Sequence, residues 1–140
     1  MPETVDNKLR KRERLCSQKA IGGLFKSGKV LKCYPLKAVY AYCSYNESPV
    51  KIVVSVPKKI HKRAVKRNYI RRRIKEAYRL NKNILYEVLQ NKQCTLNIML
   101  IYISPAITDY AGIEKKVKQV LQTLAESIKE NPDIYTCNPD

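Results

Sequence analysis

Apolar residues recur along the chain in stretches separated by prolines, glycines and charged runs, and the spacing within each stretch predicts an element. Ile21, Leu24 and Phe25 stand at i, i+3, i+4, which predicts a short helix from Gln18 to Lys26, with Ser17 as its cap and Gly28 beyond its end. Gly22 and Gly23 weaken that helix by roughly 1 kcal/mol each relative to Ala, so they are either a defect or room for a partner's backbone. Val30 to Tyr34 reads as a short strand stopped by Pro35, and Leu36 to Tyr45, rich in Val, Tyr and Ala, as a longer one. Asn46-Glu47-Ser48-Pro49 is a turn signal, so the next strand, Val50 to Val56, is expected to form a hairpin with the previous one. Pro57 ends it, because proline cannot donate to a strand ladder.

A basic helix follows, from about Lys66 to Leu80, with a broken continuation through Asn83 to Gln90. Leu96 to Ile103 is apolar at nearly every position and predicts a central strand covered on both faces. Thr108 or Asp109 caps a last helix, in which Ile113, Val117, Val120, Leu121, Leu124 and Ile128 make one apolar stripe. The order is α-β-β-β-α-β-α. With no repeat and no linker, it predicts one α+β domain over residues 14–130. Residues 1–13 are expected to be a flexible basic arm and residues 131–140 a disordered tail.

Charge changes the picture most. Lys and Arg number 28 against 12 Asp and Glu, a net charge of +16. Such a chain calls for a polyanion, and phosphate backbones are the usual ones. No stretch is long and apolar enough to span a membrane, and the first residues are polar, so a cytoplasmic protein without a membrane partner is expected. One histidine, His61, and five cysteines without a CxxC exclude the usual zinc spacings; the thiols read as scattered core residues. A lone histidine also removes most His-based catalysis, and no paired carboxylates stand at a useful spacing.

The excess is concentrated. Residues 58–82 hold Lys58, Lys59, Lys62, Arg63, Lys66, Arg67, Arg71, Arg72, Arg73, Lys75, Arg79 and Lys82 against the single acid Glu76. At about 100° per residue, Ile70, Ile74, Ala77 and Tyr78 share a buried stripe. Arg71, Lys75, Asn68, Arg79 and Arg72 fall roughly 100–200° round from Ile70, on the other side. A row of guanidinium groups at helical spacing can follow a phosphate backbone, because each fork pairs phosphate oxygens bidentately. Asn68 can donate and accept, so it suits a base edge, a ribose or a metal-bound water. Ala64 and Val65 would face the cations if helical, so they are expected to pack in a preceding loop. A merely solvated charged face is the ordinary alternative, but it usually mixes signs.

The run from Ser55 to Glu76, and within it Ala64-Val65-Lys66-Arg67-Asn68-Tyr69-Ile70-Arg71-Arg72-Arg73-Ile74-Lys75-Glu76, closely resembles the signature of the bacterial ribonuclease P protein subunit. That signature runs roughly S-x-K-K-x-G-x-A-V-x-R-N-x-I-K-R-x-I-R-E. Arg14-Leu15, Ile21, Leu24-Phe25 and Gly28 are similar to the family's first helix, and the resemblance spans about residues 9–128. Two positions depart from it. His61-Lys62-Arg63 replaces the family's glycine with one residue more, and Ile21 stands where an aromatic is usual.

The resemblance implies a four-stranded sheet packed with helices, like the second domain of the fifth small-subunit ribosomal protein. It implies an endoribonuclease whose RNA subunit performs the hydrolysis with magnesium, the protein itself holding no cofactor and no catalytic residue. The protein binds that RNA and the 5′ leader of precursor tRNA, whose removal gives the mature 5′ end. Contacts to the RNA subunit fall to Lys58, Lys59, Arg67, Asn68, Arg71, Arg72 and Lys75, joined by Lys66 and Arg79 as further cations of the helix. Ile21, Phe25, Lys37 and Val39 fall to the leader, in a strand register that puts Tyr40 and Tyr42 on the opposite face. Phe25, at i+4 from an Ile, is equally well a core residue. Two rivals share the charge: a structural ribosomal or RNA-chaperone protein, which would not affect precursor-tRNA cleavage, and a DNA-binding regulator. The second usually sets a short helix and tight turn before its recognition helix, whereas strands stand there here, so no DNA partner is expected.

Overall fold

Alternating apolar residues build strands β1 (Lys29–Cys33), β2 (Leu36–Ser44) and β3 (Val50–Ser55). The 3.6-residue period builds helices α1 (Ala64–Asn81) and α2 (Asn83–Leu89), broken from each other at Lys82. Strand β4 (Cys94–Tyr102) and helix α3 (Tyr110–Glu130) complete the chain. The computed structural model describes residues 14, 21–23, 26, 28–44, 48–89 and 94–130; Ile21, Gly22, Gly23 and Lys26 are helical. The predicted cap Ser17, Leu24, Phe25, the arm and the tail lie outside the described residues. No helix among the described residues is long and apolar enough to cross a membrane.

The strand order is β1-β2-β4-β3. Strand β4 is buried at every residue from Thr95 to Leu100 and takes a central position, as its composition predicts. This placement overturns the expected hairpin between β2 and β3. Strand β4 pairs antiparallel with β2, Tyr40 opposite Ile98, and parallel with β3, Ile52 opposite Ile98. The most apolar strand gains most by taking neighbours on both sides, so it separates the two strands that the turn signal joins. The parallel β3–β4 pair then needs a long crossover, which α1 and α2 supply. Strand β1 closes on β2 through a cis Tyr34–Pro35 bond.

One face of the sheet carries the main core. Leu36, Ala38, Val50, Ile52, Val54, Leu96, Ile98, Leu100 and Tyr102 meet Ile70, Ile74, Ala77 and Tyr78 of α1 and the predicted stripe of α3. The other face holds a smaller cluster, Val39 and Met99 with Ile21, Ala41, Val53 and Ile101 at their edges. Helix α3 starts where Gly112 N–H donates to Asp109 Oδ1 at 2.9 Å, so Asp109 is the cap. A Cβ at Gly112 would stand 2.6 Å from Thr108 Cγ2 and 2.9 Å from Asp109 Oδ1, so a larger residue there makes these two side-chain ends shift. Thr108 instead meets the Tyr102 hydroxyl at 2.9 Å.

Ile74 is fully buried between α1 and the sheet. Ile74→Asp places a carboxylate there without a partner, at a cost of several kcal/mol. The expected outcome is loss of the cooperative thermal transition, read by circular dichroism.

Candidate nucleic-acid interface

The approach to α1 is a turn without glycine. The amides of Ile60 and His61 donate to Pro57 O at 3.1 and 3.0 Å, which carries Lys58 and Lys59 into solvent. His61 is buried, and its Nε2 lies 2.8 Å from the Ser104 carbonyl, so the ring N–H donates there and ties the turn to the end of β4. The turn at the position where the resemblance departs is thus anchored through His61.

Helix α1 begins at Ala64, two residues before the expected start. Ala64 and Val65 are therefore helical and exposed, not packed in a loop; Val65 is 80% accessible. The buried set is otherwise the predicted one, Ile70, Ile74, Ala77 and Tyr78. Lys66, Asn68 and Arg72 are exposed, and Arg71, Lys75 and Arg79 are half-buried. Arg71 Nη1 donates to Asn68 Oδ1 at 2.9 Å, so Asn68 offers its Nδ2 donors to a ligand.

Two cations have partners that the expected cationic row does not include. Arg67 Nη1 donates to the carbonyls of His61 at 3.0 Å and Lys62 at 2.7 Å. Arg67 stands three and seven residues before Ile70 and Ile74, so it heads the buried stripe and does not point away from it. That spacing is visible in the sequence. Arg79 forms a two-pronged pair with Glu76, its Nε donating to Oε2 at 3.1 Å and its Nη2 to Oε1. The hydrogen bond from Arg79 holds the Glu76 carboxyl below the ordinary carboxylate range. The pair therefore persists at neutral pH and opens only as pH falls through that lowered value.

The open face of the sheet carries a second candidate surface. Lys37 and Val39 of β2 point to the same side as Met99 and Val53, and Ile21 closes one end. Tyr40 and Tyr42 pack against the main core on the opposite side. The register also brings Lys32 beside Lys37 and sets Lys51 opposite Asn97. Local spacing alone does not mark Met99, Val53 and Lys51 as site residues, because their membership depends on the strand order. Alternation within each strand supplies it once that order is known.

The residues of α1 suit an anion. Its one carboxylate, Glu76, is already paired, and no group of three or more His, Cys, Asp or Glu among the described residues could hold a metal ion. The sequence pattern of the Ribonuclease P family matches residues 9–125. The chain belongs to the ribonuclease P protein family. The ribonuclease P protein component of Porphyromonas gingivalis is 37% identical over 121 residues, covering 86% of this chain and 88% of the relative. That of Chlorobaculum tepidum is 38% identical over 93 residues, covering 64% and 60%. The ribonuclease P protein of Thermotoga maritima shares the fold, with a TM-score of 0.63 over 80% of this chain and 97% of that one, at 21% identity.

Arg67 and Arg72 of this ribonuclease P family helix separate by their surroundings. Arg67→Ala removes charge-assisted bonds to the loop and is expected to cost roughly 1–2 kcal/mol, a melting temperature lower by about 3–8 °C. Arg72→Ala relieves like-charge repulsion at an exposed site and should leave the melting temperature unchanged or slightly higher. Calorimetry of the two variants checks the contrast.

Proposed function

We propose that the chain works as the protein component of ribonuclease P in the cytoplasm. It binds the catalytic RNA along α1 and guides the 5′ leader of precursor tRNA across the open sheet face. The observation that carries this reading is the family match over most of the chain together with a helix whose Ile70, Ile74, Ala77 and Tyr78 are buried while Lys66, Asn68 and Arg72 are exposed. Lys58, Lys59, Lys66, Asn68, Arg71, Arg72 and Lys75 take the phosphates and riboses of the RNA subunit. Arg67 shapes the turn that presents Lys58 and Lys59, and Arg79 acts together with its partner Glu76.

For the leader, Lys32 and Lys37 on one side of the row Val39, Met99 and Val53, and Lys51 on the other, offer charges along the strip that these residues form with Ile21. This combination of a backbone-tracking charge and apolar contact is tolerant of sequence. The resemblance assigns Phe25, four residues after Ile21 in the sequence, to the same leader contact. The magnesium that the chemistry needs is held by the RNA, and the protein's part is to neutralise phosphate repulsion and to hold the substrate in place.

Reconstitution with a bacterial ribonuclease P RNA and a precursor tRNA carrying a leader of several nucleotides tests this. At low magnesium the chain should accelerate cleavage at the mature 5′ end, and Arg71→Ala combined with Arg72→Ala should abolish the acceleration. Lys37→Ala should weaken precursor-tRNA affinity about two- to fivefold while leaving mature tRNA unaffected. Cleavage that is unchanged by the wild-type chain contradicts the reading and favours a structural RNA-binding role.

A further inference from the structure

Two aromatic side chains among the described residues are exposed, Tyr34 at 63% and Tyr69 at 42%. The Tyr69 ring centre lies 4.6 Å from the Arg73 guanidinium, and its hydroxyl accepts from Arg73 Nη2 at 2.7 Å, so that ring is engaged within the helix. Tyr34 makes no hydrogen bond, ion pair or ring contact with any described residue. A single exposed ring is ordinary in itself; the place of Tyr34 in the fold is not. It stands in the two-residue turn between β1 and β2. Its neighbour Pro35 is buried, and the Pro35 carbonyl accepts from the Ile103 N–H at 2.9 Å, so the tip of the hairpin is held at the end of β4.

Leu31 and Cys33 pack on the main core, so alternation along β1 turns Val30 and Lys32 to the open sheet face. There the register sets Val30 opposite Val39 and Lys32 opposite Lys37. Tyr34 follows two residues after Lys32, about 7 Å along the chain, which is one nucleotide step of an extended RNA strand. The free ring thus stands at the end of the open face where Lys32 and Lys37 pair. The strip on that face, Ile21, Val39, Ala41, Val53, Met99 and Ile101, holds no aromatic ring among the described residues.

Sequence-tolerant binding of a single strand combines cations that track the backbone with rings on which bases stack. The open face supplies the cations and an apolar floor, and Tyr34 supplies a ring at its end. Lys29 and Lys32 on the β1 edge, with a net charge of +16, oppose a second copy of the chain as the occupant.

We propose that Tyr34 binds substrate, its ring stacking on a base of the 5′ leader where the strand passes the β1–β2 tip. The proposal rests on the reading of the open face as the leader track. It adds a residue that lies outside both the helix signature and the apolar strip.

Affinities of the chain assembled with a bacterial ribonuclease P RNA test it, measured for mature tRNA and for precursor tRNA with a leader of one or of several nucleotides. Tyr34→Ala should weaken binding of the longer leader about five- to tenfold. Affinity for the one-nucleotide leader, for mature tRNA and for the RNA subunit should stay unchanged, with the melting temperature kept. Tyr34→Phe keeps the ring and should bind as the unchanged chain does, whereas Tyr34→Leu should behave as Tyr34→Ala. A leader of the same length without bases should bind Tyr34→Ala and the unchanged chain alike. A longer leader that binds Tyr34→Ala at full strength overturns the proposal, and so does a loss that persists without bases or extends to mature tRNA. Tyr34→Phe as weak as Tyr34→Ala overturns stacking. If the unchanged complex binds precursor and mature tRNA alike, the leader reading itself fails and the proposal with it. A leader preference that survives Tyr34→Ala overturns the proposal alone.

Discussion

Like charges crowded on one helix repel, and the architecture of this chain depends on what offsets that repulsion. Helix α1 carries Lys66, Arg67, Arg71, Arg72, Arg73, Lys75 and Arg79 against Glu76 alone. Its cohesion comes from the opposite side, where Ile70, Ile74, Ala77 and Tyr78 are wholly buried. Burying such side chains contributes roughly 1.5–3 kcal/mol for each large one, more than exposed like-charge pairs cost at a few tenths each. The sheet and α3 thus hold a cationic surface ready before any polyanion arrives. A partner then gains affinity without having to order the helix first.

The local devices around α1 serve the same end. The Pro57 turn and the His61–Ser104 contact fix the entry of the chain, and Arg67 closes on the carbonyls of His61 and Lys62. At the other end Arg79 is bound to Glu76. Between these ends stand Asn68, Arg71, Arg72 and Lys75. The open sheet face, with Lys37 beside Val39 and Met99, is a separate surface on the other side of the sheet from the main core, so the fold can carry two RNA contacts at once.

Much of this is legible in the sequence. The stripe of α1, the break at Lys82, the stripe of α3 and the central apolar strand all follow from periodicity and composition, because each is decided by local spacing. The pairing of β3 with β4 does not follow, since a turn signal states only that the chain reverses and not which strand lies alongside. For the same reason Met99, Val53 and Lys51 join the open face only after the strand order is known. The resemblance groups Arg67 with the RNA contacts of the outward row, although its spacing from Ile70 and Ile74 places it on the buried side.

The central claim, that α1 meets RNA through phosphate contacts, is tested most directly by the salt dependence of affinity for a bacterial ribonuclease P RNA. Removing one phosphate contact lowers the slope of log affinity against log salt by roughly 0.7–0.9, so Arg71→Ala, Arg72→Ala and Lys75→Ala together should lower it by about 2–3. A slope equal to that of the unchanged chain would contradict the account.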